Sequence, residues 1–137
     1  MDVATTSYTV YGPVAIRDNA VTYARIAVND SYSIMDLNVT LNLTHPNLAD
    51  LSITLIAPNG TSYTLVNKGG LQGAAKNTSI TFDDESAAYR PVSRLGALDE
   101  TNINGIWEIR VYDMVKNRAI GTLNSVTLTA VHRAVAG

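Results

Sequence analysis

Few residues in this chain could do chemistry. It carries two histidines, His45 and His132, and no cysteine. A hydrolytic triad needs a nucleophile, a base and an orienting carboxylate. No Gly-X-Ser-X-Gly elbow accompanies either histidine. His45 closes an alternating segment beside a turn, where its ring is expected to hydrogen-bond to backbone; His132 lies near the C-terminus. No catalytic residue is assigned. The carboxylates offer more: Asp50, Asp83, Asp84 and Asp113 all fall at expected strand ends. If several of those ends shared one edge, they would give the oxygen cage that calcium takes, loop carbonyls completing about six to eight ligands. As turn residues they would instead accept N–H bonds, Asp50 capping the turn before its strand. There is no EF-hand spacing, and two histidines without cysteine are a poor donor set for zinc. Asn67-Lys68-Gly69-Gly70 lacks the Gly-Lys-Ser/Thr ending of a phosphate cradle and reads as a loop.

The elements that would hold these groups are strands. Leu37, Val39, Leu41 and Leu43 alternate with Asn38, Thr40, Asn42 and Thr44, which places the two sets on opposite faces of one strand. After His45-Pro46-Asn47 the rhythm resumes at Leu51, Ile53 and Leu55. Pro58-Asn59-Gly60 makes a turn into Tyr63–Val66, and the three segments are expected to form a meander. Ile80 and Phe82 mark a further strand. Trp107, Ile109 and Val111 mark another, with Trp107 in the buried phase. Val126, Leu128 and Ala130 mark the last; Leu123 is out of phase with them, so a bulge is expected near Asn124-Ser125. Two short strands flank Asp18-Asn19. Residues 1–12 read as a linker or an edge strand, and 13–137 as one domain. The irregular stretch 86–104 is expected to be functional or to pack on the surface with its own small core, and Tyr32 and Tyr89 to offer exposed contacts. Without convincing helical periodicity, the chain is all-β, an antiparallel β-sandwich.

Composition narrows the function. The 137 residues suit one domain, and a net charge of −2 gives no electrostatic case for nucleic acid or an anionic membrane. No apolar run approaches the ~20 residues of a membrane span. The opening MDVATTSYTV lacks the features of a signal peptide and would suit a module cut from a longer secreted chain. Five Asn-X-Ser/Thr sequons occur, at Asn29, Asn38, Asn42, Asn59 and Asn77. Asn38 and Asn42 fall on a strand face rather than in loops, which argues against their modification.

The segments THPNLADLSITLIAPNGTSYTL, ITFDDES and NGIWEIRVYD, followed by IGTLNSVTLT, resemble in order and spacing the P domain, also called the P/Homo B domain. The matching positions are His45, Asp50-Leu51, Pro58-Asn59-Gly60-Thr61, Gly105-Ile106-Trp107 with Asp113, and Gly121-Thr122-Leu123. Pro46 and Val126 depart from the family pattern, which usually has Thr and Trp there. The resemblance covers roughly Ile16 to Val131. It implies a jelly-roll-like sandwich and a non-catalytic role beside the catalytic domain of a secreted, subtilisin-like serine protease in the same polypeptide. That role is to support the neighbour's folding and stability, and in some members its calcium dependence and substrate access. An isolated domain of this kind is expected to be extracellular, monomeric and without hydrolytic activity. The alternative is a carbohydrate- or protein-binding module of a secreted enzyme or surface protein, which would require an exposed aromatic platform or a polar groove.

Overall fold

The computed structural model describes residues 2–71, 77–84, 89–116 and 120–133. Among the described residues, eight strands build two antiparallel sheets. In chain order they are β1 (Val3–Ile16), β2 (Val21–Val28), β3 (Asp36–Thr44), β4 (Leu51–Ile56), β5 (Ser62–Val66), β6 (Asn77–Phe82), β7 (Gly105–Asp113) and β8 (Gly121–Arg133). The first sheet runs β1-β8-β3-β6 and the second β2-β7-β4-β5. Short 3-10 turns at Leu48–Asp50 and Leu95–Leu98 are the described helical pieces. None of the described helices is long and apolar enough to cross a membrane.

The core follows from the two-residue period. Leu37, Val39, Leu41 and Leu43 of β3 are buried, as are Leu51, Ile53 and Leu55 of β4 and Trp107, Ile109 and Val111 of β7. Each such aliphatic side chain contributes about 1.5–3 kcal/mol when fully withdrawn from water. Trp107 donates its indole N–H to the Ile103 carbonyl at 2.9 Å, so its one polar atom is satisfied in the interior.

The meander is corrected. β3 and β4 do not pair; they lie in different sheets, and only β4 and β5 form a hairpin. Alternation tells which face of a strand is buried but not which sheet the strand joins. The connecting segment is short enough for a hairpin, yet it carries His45 and Leu48, both buried, and crosses between the layers instead. The bulge in β8 falls at Asn124: Leu123 and Ser125 have partners on both sides, whereas Asn124 is skipped. Its side chain donates to Asn42 Oδ1 at 2.9 Å and Thr44 Oγ1 at 3.2 Å.

β1 runs continuously from Val3 to Ile16 along β8, so the boundary drawn between residues 12 and 13 falls inside an element, at a register shift around Gly12-Pro13. Three other expectations change. Leu95, Leu98 and Ile103 belong to the main core rather than a separate one. Tyr89 is half-buried, edge-on to Phe82. Tyr32 is half-buried and stacks on His132, which is itself buried within β8.

Candidate functional site

The strand registers define two ends of the sandwich. β3 finishes at one end with Thr44, opposite Thr122 of β8; Leu51 and Asp113 pair at the same end of the second sheet. Here the chain crosses between layers, and His45 sits in the crossing with its side chain fully buried. Its Nδ1 accepts the Asn47 backbone N–H at 3.0 Å. That bond makes Nδ1 the acceptor nitrogen, so the ring carries its proton on Nε2 and donates it to Asp113 Oδ2 at 2.9 Å. Asp113, equally buried, accepts the Val115 N–H on its other oxygen at 3.1 Å. Asp50 accepts Asn47 Nδ2 at 2.9 Å, and its carbonyl takes the Met114 N–H at 3.0 Å. Gly121 completes the group: a Cβ there would drive into the Thr44 carbonyl and the His45 Cα. The arrangement can orient a loop.

The opposite end is acidic. Asp83 and Asp84 follow β6 there, beside Asp36 at the start of β3 and Asp99 after the second 3-10 turn. Asp84 accepts the Leu95 N–H at 2.8 Å and the Gly96 N–H at 2.7 Å, which caps that turn. The Asp36 carboxyl is pushed above its ordinary value by burial first, then by Asp83 and Asp84. Asp99 is raised by burial, then by Asp36, Asp84 and Glu100.

The four carboxylates proposed as a calcium cage are therefore divided between the two ends, Asp50 and Asp113 at one, Asp83 and Asp84 at the other. Both oxygens of Asp113 and of Asp84 are engaged by N–H donors. Among the described residues, no group of three or more His, Asp or Glu is arranged to hold a metal ion. The fold does not bring the four residues together in one place.

The outer faces of the two sheets differ in kind. On the first, outward positions are mainly Thr, Ser and Asn, with Val3 and Tyr11 exposed on the rim strand β1. Thr9 meets Thr127 at 2.9 Å and Thr40 meets Thr81 at 2.9 Å, hydroxyl to hydroxyl. On the second sheet, Tyr23 of β2 and Ile106 and Tyr112 of β7 are exposed, as is Met114 just beyond β7. Glu108, nearly buried, accepts Arg25 Nε at 3.0 Å and Arg110 Nε at 2.7 Å. The Arg110 guanidinium lies 5.4 Å from the centre of the Tyr23 ring. A depression of about 330 Å³ lies among Val21, Tyr23, Arg110, Tyr112 and Met114. Tyrosine, methionine and arginine are the residue types enriched where proteins meet. Sequence reasoning passed over these positions, although Arg110 and Tyr112 stand in the outward phase of a strand whose inward phase was read correctly.

The remaining motif residues pack together as well. Gly105, at φ 129°, lies under Pro58: a Cβ there would meet the proline ring at 2.6 Å. The ordered signature thus condenses into two contacts, one at each end of the sandwich.

The chain is 30% identical over 118 residues to a transglutaminase-activating metalloprotease of Streptomyces mobaraensis, covering 85% of this chain and 14% of that protein. It is 33% identical over 91 residues to leupeptin-inactivating enzyme 1 of Streptomyces exfoliatus, covering 66% of this chain and 17% of that one. It therefore spans about one-seventh to one-sixth of the relatives it matches. A serine protease of Aeromonas sobria, solved in complex with a chaperone, shares the fold with a TM-score of 0.69 at 16% identity, over 98% of this chain and 28% of that one. The profile of the proprotein convertase P-domain matches residues 34–130, a span that holds both packed contacts and most of both sheets, and the chain belongs to that family.

Proposed function

We propose that this chain is a non-catalytic accessory module of a secreted protease and that it docks on the catalytic domain of the same polypeptide through the outer face of the β2-β7-β4-β5 sheet. The observation that carries the reading is the asymmetry of the two faces: the middle of one is a field of Thr, Ser and Asn, with Val3 and Tyr11 exposed only on its rim strand, while the other presents Tyr23, Arg110, Tyr112 and Met114 around a depression, with Ile106 exposed beside them. Burying such a face against a neighbour stabilises the neighbour's folded state by mass action. The convertase family supports a subtilisin-like serine protease as that neighbour. The Streptomyces metalloprotease supports a wider range of catalytic partners for the module.

The test expresses the parent protease with this module intact, deleted, or carrying Tyr112→Asp. Deletion is expected to lower the yield and Tm of the catalytic domain, and Tyr112→Asp to reproduce part of that loss while the module itself stays folded. The isolated module should not cleave peptides. Equal catalytic-domain Tm with and without the module would sink the accessory reading. A second reading rests on Tyr23 and Tyr112, which are exposed on one face and would suit sugar stacking. Retention on a polysaccharide column, lost in Tyr23→Ala, would favour it.

A further inference from the structure

We infer that the free edge of β1 is a pairing surface for a second copy of this chain, joined antiparallel about a two-fold axis at Ser7. β1 is the longest strand, 14 residues, and it lies at the rim of its sheet with β8 on one side only. Among the described residues, no backbone hydrogen bond reaches the other side of Val3–Tyr11. An unpaired rim of this length is a template for another strand, and proteins usually blunt such rims with charge, proline, brevity or a covering loop. The other rims here show those devices. β5 is short, and the backbone of Val92 and Ser93 bonds along it. β6 is short and receives the Asp83–Tyr89 bond at its end. β2 carries Arg25. β1 carries no charged residue, and its Gly12-Pro13 break protects only the far third.

The strand is also held ready. Tyr8 donates its hydroxyl to Asp30 at 2.7 Å and meets the Tyr32 hydroxyl at 2.6 Å. Thr6 meets His132 Nε2 at 2.9 Å. These bonds fix the rim before any partner arrives, so little ordering entropy is lost on pairing.

The side chains choose the occupant. With Ser7 opposite Ser7 of the second copy, Thr5 faces Thr9 and Val3 faces Tyr11. Val3 and Tyr11 are 56% and 83% exposed and are the large apolar side chains on the outward phase of Val3–Tyr11. One axis therefore covers both, twice over, and opposes no like charges. The product is an eight-stranded sheet continuous through both copies. This inference is independent of the docking face, which lies on the other sheet.

The absence of cysteine gives a clean test. Opposed residues of an antiparallel pair lie within disulfide reach. In the full 137-residue chain, oxidised Ser7→Cys is expected to form a covalent dimer, while Thr81→Cys, exposed on the rim strand at the opposite edge, does not. By sedimentation equilibrium the unmodified chain should double in mass as concentration rises, and Ser7→Lys should weaken that association by about ten-fold or more, because two cations would then face each other. Ser7 is exposed, so circular dichroism and Tm should hold in each variant. A monomer mass at every concentration, an association indifferent to Ser7→Lys, or equal cross-linking through Thr81→Cys would each overturn the inference.

Discussion

His45 and Asp113 meet in the interior, Nε2 to Oδ2 at 2.9 Å, from positions 68 residues apart, with neither side chain reaching water. The contact ties the crossing between the sheets to the end of β7. Removing the imidazole donor leaves a buried carboxylate oxygen without its hydrogen bond, which costs about 1–3 kcal/mol. His45→Ala is expected to lose that much by urea unfolding, and the double variant with Asp113→Ala to lose less than the two single losses added. Additive losses would show that the two residues act separately. Nitrogen-15 spectra of the imidazole should show the proton on Nε2.

Gly121→Ala is expected to be among the most damaging single substitutions outside the core. Its methyl would press on the backbone of Thr44 and His45, which cannot rotate away. Overpacking costs about 1–3 kcal/mol, and a backbone obstacle puts this case at the upper end. Gly60→Ala serves as comparison: its φ of 89° is strained for alanine, but nothing lies within 4 Å, so about 1–2 kcal/mol is expected. Chemical denaturation that ranks them the other way would contradict the packing described.

Acid should stabilise the acidic end before it weakens the rest. Asp36 and Asp99 both have folded-state values raised above 3.8. The folded state therefore binds protons more readily than the unfolded chain, and stability rises as pH falls from neutrality through those raised values toward 3.8. Asp99→Asn removes a repelling carboxylate. It is expected to raise Tm at pH 7 and to flatten the pH dependence in that window; a variant curve parallel to the wild-type curve would refute the assignment.

Any effect of calcium on Tm is expected to be independent of Asp50, because Asp50 and Asp113 lie at the end opposite Asp83 and Asp84. Asp50→Ala should lower Tm equally in calcium and in excess chelator through loss of its bond to Asn47. A calcium-dependent rise abolished by Asp50→Ala would show that these carboxylates come together after all.

The individual strands were legible because burial of one face writes a two-residue period into the sequence. Leu37 to Leu43, Leu51 to Leu55 and Trp107 to Val111 all carried it, and the phase of Leu123 placed the bulge. Sheet membership was not legible, since β3 and β4 show the same period whether they pair or stack. The motif residues were legible as an ordered set, but their roles were not. Asp50, Asp83, Asp84 and Asp113 look alike as letters at strand ends, and only the direction of each strand assigns them to one end or the other. Tyr32 and Tyr89 were misjudged for a related reason: a loop position does not tell whether a ring finds His132 or Phe82 to lie against.

Val3 pairs with Arg133, so β1 and β8 begin and finish side by side. A pull applied across these two residues would meet the hydrogen bonds of the β1–β8 ladder one at a time, as a zipper opens, rather than all together in shear. The module should yield at low force, first strand outward, while the buried sheet contacts around Trp107 are still intact.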